Sequence, residues 1–221
     1  MVLIEYASVS GWVAALRGMR QPYESHSRAD TAWNTVTGLP IIGKNDMELA
    51  KKLCRAGSEH RKFLRMIIVS CDITAPMMWN HQLDTYKVGT VRNSTSKMHK
   101  LGAKAFEIED FSLDGITDEA IGDITADIDT LNGYRAAWLK ARECKDRVKE
   151  KRYWETMLRM LPESYNQKFT WQANYEVLSA IYRQRKGHKL SEWRDFLEWI
   201  RSLPYSELIT GEFDEDRAAN V

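Results

Sequence analysis

The apolar positions of this chain change their period several times, and each change predicts an element. Residues 2–9 alternate and are rich in β-formers, which predicts a first strand. Residues 11–19 then place Trp12, Val13 and Leu16 on one helical face. From 20 to 44 the chain is rich in Ser, Thr, Asn, Gly and Pro and reads as a long loop. Loops of that length in a compact domain serve as lids or binding segments, or are tolerated insertions. Asn45-Asp46 predicts the N-cap of a helix over 47–55, with Met47, Leu49, Ala50 and Leu53 as its stripe and Gly57 as its stop. The apolar run 63–73, centred on Met66-Ile67-Ile68-Val69, has the length of a buried strand. Ala75-Pro76 opens a helix reaching 86, with Met77, Met78, Trp79 and Leu83 as apolar surface and His81 and Gln82 elsewhere on it.

The second half is more helical. Residues 87–97 form a polar connection, and 118–131 and 134–161 predict two long helices separated near Asn132-Gly133. The charges among Trp138, Leu139, Val148, Trp154, Met157 and Leu158 read as a solvated face. Residues 175–185 place Val177, Leu178, Ile181 and Tyr182 at core spacing before Gly187, and 190–203 do the same with Trp193, Phe196, Leu197 and Ile200. Asn174 and Arg185 are polar interruptions of this helical pattern. The whole predicts a single α+β domain over 1–207, with an acidic, frayed tail over 208–221.

Composition narrows the partners. The 221 residues, 43% of them hydrophobic, are enough to bury one core. Lys+Arg at 32 against Asp+Glu at 31 gives no polyanion-binding footprint, so nucleic acid is not an expected partner. Cys54, Cys71 and Cys144 are odd in number and far apart, which argues against a disulfide framework or a zinc site and for a reducing, cytoplasmic setting. Glu5 interrupts the apolar start, so no signal peptide is expected, and no run reaches the length of a membrane span. The five His show no metal-ligand spacing, and no G-x-G-x2-G or P-loop is present. Cys71 reads as a buried strand residue rather than a nucleophile.

Two constellations carry candidate chemistry. Asn174 and Arg185 lie about three helical turns apart, so both can face one side of a helix. A guanidinium there suits a planar acceptor or a phosphate, while a helix cap and a terminal cation account for the same pair. Ser94-Thr95-Ser96-Lys97 offers hydroxyls, backbone N–H groups and an ammonium for a phosphate, or forms an ordinary polar turn.

Leu161-Pro162, Phe169, Trp171, Asn174, Leu178 and Arg185, followed by His188 and Trp193, together resemble the C-terminal core block of the flavin-dependent thymidylate synthases. Upstream, Asp46 to Gly57, His60, Ile73-Thr74-Ala75-Pro76 and Gln82 resemble the same family, so the likeness spans 46–200. The family signature R-H-R-x2-S-x-N-E-x-S-x-R-Y is altered. Tyr86 stands for its His, Lys87 for an Arg, Thr90 for a Ser and Ser94 for its Glu, while Asn93, Ser96 and Lys97 fit its later polar positions with one inserted residue. Lys keeps the charge but loses the bidentate fork, and Tyr retains a ring and a hydroxyl.

The resemblance implies an α+β fold, a twisted antiparallel sheet flanked by helices with a helical insertion. It implies a homotetramer with active sites between subunits. The reaction it implies moves a one-carbon unit from methylenetetrahydrofolate to C5 of dUMP, with FAD as redox cofactor and NADPH as its reductant. By the same resemblance Arg185 is the catalytic residue that clamps the pyrimidine. Gln82, Arg92, Ser94, Ser96, Lys97 and Arg159 hold the nucleotide, and His60, Tyr86, Lys87, Thr90, Asn93, Asn174 and His188 contact the flavin. The altered signature leaves two further readings open: another C5-modifying enzyme such as a hydroxymethylase, and a non-catalytic nucleotide-binding protein on the same scaffold.

Overall fold

The computed structural model describes residues 1–213. Its strands are β1 (Leu3–Ser10), β2 (Ala32–Trp33), β3 (Pro40–Ile41), β4 (Ile68–Pro76), β5 (Val91–Ser94) and β6 (Asn166–Asn174). Its helices are α1 (Trp12–Arg20), α2 (Lys44–Arg55), α3 (Met77–Leu83), α4 (Lys97–Lys100), α5 (Asp118–Glu143), α6 (Arg147–Met160), α7 (Tyr175–Arg185), α8 (Ser191–Ser202) and α9 (Glu207–Thr210). Four strands form an antiparallel sheet in the order β1-β4-β6-β5, and β2 and β3 pair as a separate antiparallel hairpin. Alternation explains the central strands. Val69, Cys71, Ile73 and Ala75 of β4 are buried, as are Phe169, Trp171 and Ala173 of β6. Between them, Thr170 donates to Asp72 at 2.7 Å and Gln172 to Ser70 at 3.2 Å, the descending partner order of an antiparallel pair.

The chain divides into two compact units. The first comprises Met1–Leu3, Ile73–Thr85 and Asn93–Phe169. Its core joins Leu101, Phe106, Phe111, Ile128, Leu131 and Met157, with Trp138, Trp154 and Tyr165 packed against it. Here α5 runs unbroken through Asn132-Gly133, where the sequence predicts a break. The Asn132 side chain bridges the Phe106 N–H (2.8 Å) and C=O (2.9 Å), so it finds its partners in a remote segment and not in a local turn. The break comes after Glu143 instead. Lys145 takes a left-handed φ of 57° there, and Asp146 caps α6 by accepting from Lys149 N–H at 3.0 Å.

The second unit comprises Ile4–Asp72, Tyr86–Arg92 and the chain from Thr170 onward. Trp193 and Phe196 pack edge to face at 5.9 Å, as do Trp171 and Phe196. Residues 208–213, expected in a frayed tail, are packed. Leu208, Ile209 and Phe213 are buried, because the apolar side chains of α9 and of Phe213 belong to the core. The rest of that expected tail, 214–221, lies outside the described residues. The run 63–73 also differs from expectation: Lys62–Met66 is a 3-10 turn, and the strand starts at Ile68 where two-residue alternation begins.

The loop over 20–44 is pinned by a buried charge network. The Arg20 Nε donates to Asp46 at 2.6 Å, and both side chains are buried. Asp46 also accepts from the Thr31 hydroxyl (2.6 Å), Thr31 N–H (3.0 Å) and Asp30 N–H (3.1 Å). Asp46 is therefore no N-cap. The helix begins at Lys44, and Asp30 satisfies its first turn by accepting from the N–H of Asn45 (2.8 Å) and Asp46 (3.0 Å). Burial alone would raise the Asp46 pKa, but the bonds from Thr31 and Arg20 outweigh it and lower it.

Asp46→Ala leaves Arg20 buried without its partner and is expected to cost about 3–5 kcal/mol by urea unfolding at neutral pH. The Asp46 contribution is complete above the unfolded carboxylate pKa of about 3.9 and is lost as pH falls through the lower folded value. The gap between wild type and variant is therefore expected to narrow below about pH 4; a gap that stays constant there contradicts the assignment.

Candidate functional site

In the second unit, α7 presents Arg185 in its last turn. Asn174 ends β6 and caps the helix, its Oδ1 accepting from Val177 N–H at 3.0 Å. The Arg185 Nε donates to the Tyr86 hydroxyl at 2.9 Å, and that hydroxyl donates to Gln184 Oε1 at 3.0 Å. The guanidinium lies 4.5 Å from the ring centroid of fully buried Trp193, the distance of a cation–π contact. Tyr86 meets Trp193 edge to face at 6.3 Å. His188 lies 6.1 Å from the same indole, and its Nδ1 accepts from Leu190 N–H at 3.1 Å, so the neutral ring carries its proton on Nε2. A half-buried cation is thus held by one phenol and one indole.

The loop that brings Tyr86 follows the same helix. The Thr90 hydroxyl donates to the Tyr86 C=O at 2.6 Å and closes a tight turn. Gly89 turns at φ +77°, and a Cβ there would sit 3.0 Å from Asn174 Nδ2 and 3.1 Å from Val177 Cγ2. Tyr86 therefore sits at the C-terminal end of α7 and Gly89 at its N-terminal end. Lys87 is exposed on this loop, Arg92 is half-buried on β5, and His60 is exposed in the turn after Gly57.

In the first unit, Ser96 and Lys97 line a cavity of about 360 Å³. Lys100, Lys104, Lys168, Asn166, Phe106 and Tyr165 line it too. The Lys97 Nζ rests 3.4 Å from the Met77 sulfur. Lys104 pairs with Asp110 (2.8 Å) and Glu107 (3.2 Å). Arg159 is not among the lining residues; it is exposed on α6 and reaches Glu155 of its own helix at 3.3 Å. Gln82 is half-buried on α3, and Asn93 and Ser94 lie on β5, which replaces part of the connection expected over 87–97. Among the described residues no cluster of three His, Cys, Asp or Glu could hold a metal ion. Burial pushes the Cys54 and Cys71 thiols up to about 12, which leaves both protonated and unreactive.

No protein-family model matches the sequence, and no curated protein does. Solved structures match in shape. A structure of Thymidylate Synthase X from Helicobacter pylori with FAD and dUMP superposes at TM-score 0.70 and 16% identity, covering 94% of this chain and 96% of that one. A second structure of the flavin-dependent thymidylate synthase of Helicobacter pylori, also complexed with FAD and dUMP, gives 0.68 and 16%, with 93% and 95% covered. The chain has the thymidylate synthase X fold.

Within that fold, the second unit brings together Tyr86, Arg185 and His188, and separately Thr90 with Asn174 through the Gly89 turn. The first brings together Ser96 and Lys97. Sequence reading missed Gln184, Lys100, Lys104, Asn166 and Lys168. The i, i+3 spacing of Lys97 and Lys100, both on α4, was a usable signal.

Tyr86→Phe removes the hydroxyl shared by Arg185 and Gln184 and is expected to cost about 1 kcal/mol in urea unfolding. Gly89→Ala forces a side chain into a left-handed turn against Asn174, with an expected cost of about 1–2 kcal/mol. Unchanged stability in the Gly89 variant would contradict the close approach of this loop to α7.

Proposed function

We propose that this protein is a flavin-dependent enzyme that transfers a one-carbon unit from methylenetetrahydrofolate to C5 of dUMP. The observation that carries the reading is Arg185, held between the Tyr86 hydroxyl and the Trp193 ring at the end of α7. A guanidinium fixed in this way is preorganised to donate to a pyrimidine carbonyl oxygen. It favours the negative charge that develops there when C5 acts as nucleophile. The thymidylate synthase X fold supports the reading, since its solved relatives carry FAD and dUMP.

The residues of the second unit fit a planar redox group. Tyr86 and His188 are half-buried rings backed by Trp193, and His188 has its Nε2 proton to donate. FAD, when bound, supplies the reducing equivalents, with NADPH as their source. The chain's own part is to bind and orient: Tyr86, Lys87, Thr90, Asn174, His188 and His60 toward the flavin, together with Asn93. Arg185 serves the pyrimidine, and Gln82, Arg92, Ser94, Ser96, Lys97 and Arg159 serve the rest of the nucleotide. The reading includes a homotetramer with sites formed between subunits.

Ser94, which stands where the resemblance calls for a carboxylate, favours one second reading, a C5 hydroxymethylase. Incubation of the full chain with dUMP, methylenetetrahydrofolate, FAD and NADPH, followed by mass analysis, decides between them. A methylated nucleotide is expected. A product heavier by one oxygen supports hydroxymethylation, and bound but unmodified dUMP leaves only a binding protein. Arg185→Ala removes charged hydrogen bonds worth about 1.5–3 kcal/mol and is expected to weaken dUMP binding roughly 10- to 100-fold. Unchanged affinity and turnover would remove Arg185 from the site.

A further inference from the structure

We propose that the second unit carries an anion site separate from the Arg185 site, in which one inorganic phosphate bridges Arg61 and Arg183. A cavity of about 190 Å³ opens between the C-terminal end of α2, one face of α7, and α9. Ser179 and Arg183 line it from α7, at the i, i+4 spacing that puts both on one side of the helix. Arg185 follows at i+2 from Arg183, and helical residues so spaced do not face each other. The volume is below the roughly 300–1,000 Å³ of sites that enclose a drug-sized ligand, so the cavity suits one small ion and not a nucleotide or a flavin.

Charge supports the site first. No carboxylate is among its lining residues. Arg61, only 5% exposed, is paired with Glu176, and Arg55 is engaged over the Phe213 ring at 4.8 Å, so neither supplies the excess. Arg183 does: it makes no hydrogen bond or salt bridge among the described residues. Burial and the Arg61 charge lower the Arg183 pKa, while Glu176 works against them. Arg61, Arg183 and Glu176 together stay positive, and a phosphate between the two guanidiniums replaces their repulsion by two attractions.

Unmet donors support it second. The buried Arg61 Nε has no aligned acceptor, and the bonds from Nη1 and Nη2, at 3.4 and 3.3 Å, are longer than the usual N–H···O range. The second N–H of each Nη is left over. The buried Ser179 hydroxyl accepts from Arg61, and the Thr210 hydroxyl accepts from Glu212 N–H at 3.1 Å. Neither hydroxyl donates to a described residue, so each keeps a proton for an acceptor. Buried donors in that state call for one, and a phosphate accepts from several directions at once. The neutral Cys54 thiol, donating to Leu208 C=O at 3.7 Å, adds no opposing charge.

Calorimetric titration of the full chain with inorganic phosphate at fixed ionic strength, beside titrations with FAD and dUMP, tests the assignment. Arg183 is exposed, so Arg183→Gln is expected to keep the wild-type circular dichroism. It is expected to weaken phosphate about tenfold and to remove the rise in melting temperature that phosphate gives the wild type. FAD and dUMP affinities are expected to stay unchanged. Ser179→Ala is expected to weaken phosphate about fivefold. Wild-type phosphate affinity in both variants, or no phosphate binding by the wild type, overturns the inference. Loss of FAD or dUMP along with phosphate in Arg183→Gln overturns it too, because the cation then belongs to the site already described. Glycerol phosphate bound as tightly as phosphate assigns a terminal phosphoryl group to the same residues, whereas phosphate alone assigns the free ion. A chain that binds phosphate through Arg183 but takes up no FAD upholds this site and counts only against the flavin reading.

Discussion

The Arg61 guanidinium, buried in the second unit, fixes the helix on which the functional reading depends. Its Nε lies 2.8 Å from Glu176 Oε2 as an ion pair without hydrogen-bond alignment, and Nη2 reaches Oε1 at 3.3 Å. Nη1 donates to the Ser179 hydroxyl, one turn further along α7, at 3.4 Å. Two charges at this depth are tolerated only together, since leaving one alone costs about 3–5 kcal/mol. The pair therefore fixes the first turn of α7 against the segment before β4. Tyr175 N–H donates to Ile67 C=O at 3.0 Å, and the Tyr175 hydroxyl donates to Pro204 C=O at 2.6 Å. Strand, cap and helix follow one another without slack, and Glu176 also suits the positive end of the helix dipole.

From that anchor the chemistry at the far end of α7 follows. A helix of 11 residues rises about 16 Å, and the Tyr86–Thr90 turn meets it at both ends. Gly89 is what allows the approach at the N-terminus, and the Tyr86 hydroxyl completes it at Arg185. Tyr86, at the position where the resemblance calls for a His, is thus built into the structure. The phenol gives Arg185 an acceptor and Gln184 a donor, which an imidazole does not supply with the same reach. Trp193, fully buried on α8, limits the guanidinium from the other side.

What was legible in the sequence follows the reach of each signal. Residues 175–185 emerged with the correct ends because their cap, their apolar period and their Gly187 stop are all local. The capping of α2 was not legible, since its acceptor is Asp30, a loop residue well before the helix. The turn expected at Asn132-Gly133 failed for the same reason, because the Asn132 partners lie at Phe106. The alternation of Phe169, Trp171 and Ala173 was absorbed into the helical pattern that begins directly after it, and β6 went unseen. Arg185 was legible as a candidate because a resemblance singled it out; Lys100, Lys168 and Asn166 were not, because only the fold gathers them around one cavity.

The central claim is that one pyrimidine nucleotide and one flavin meet on this scaffold. The most direct measurement is the visible absorbance of the purified chain with FAD, recorded as dUMP is added. The account predicts a protein-bound flavin spectrum that shifts on dUMP addition and saturates. Absence of flavin uptake at any FAD concentration, or a bound-flavin spectrum indifferent to dUMP, would contradict it.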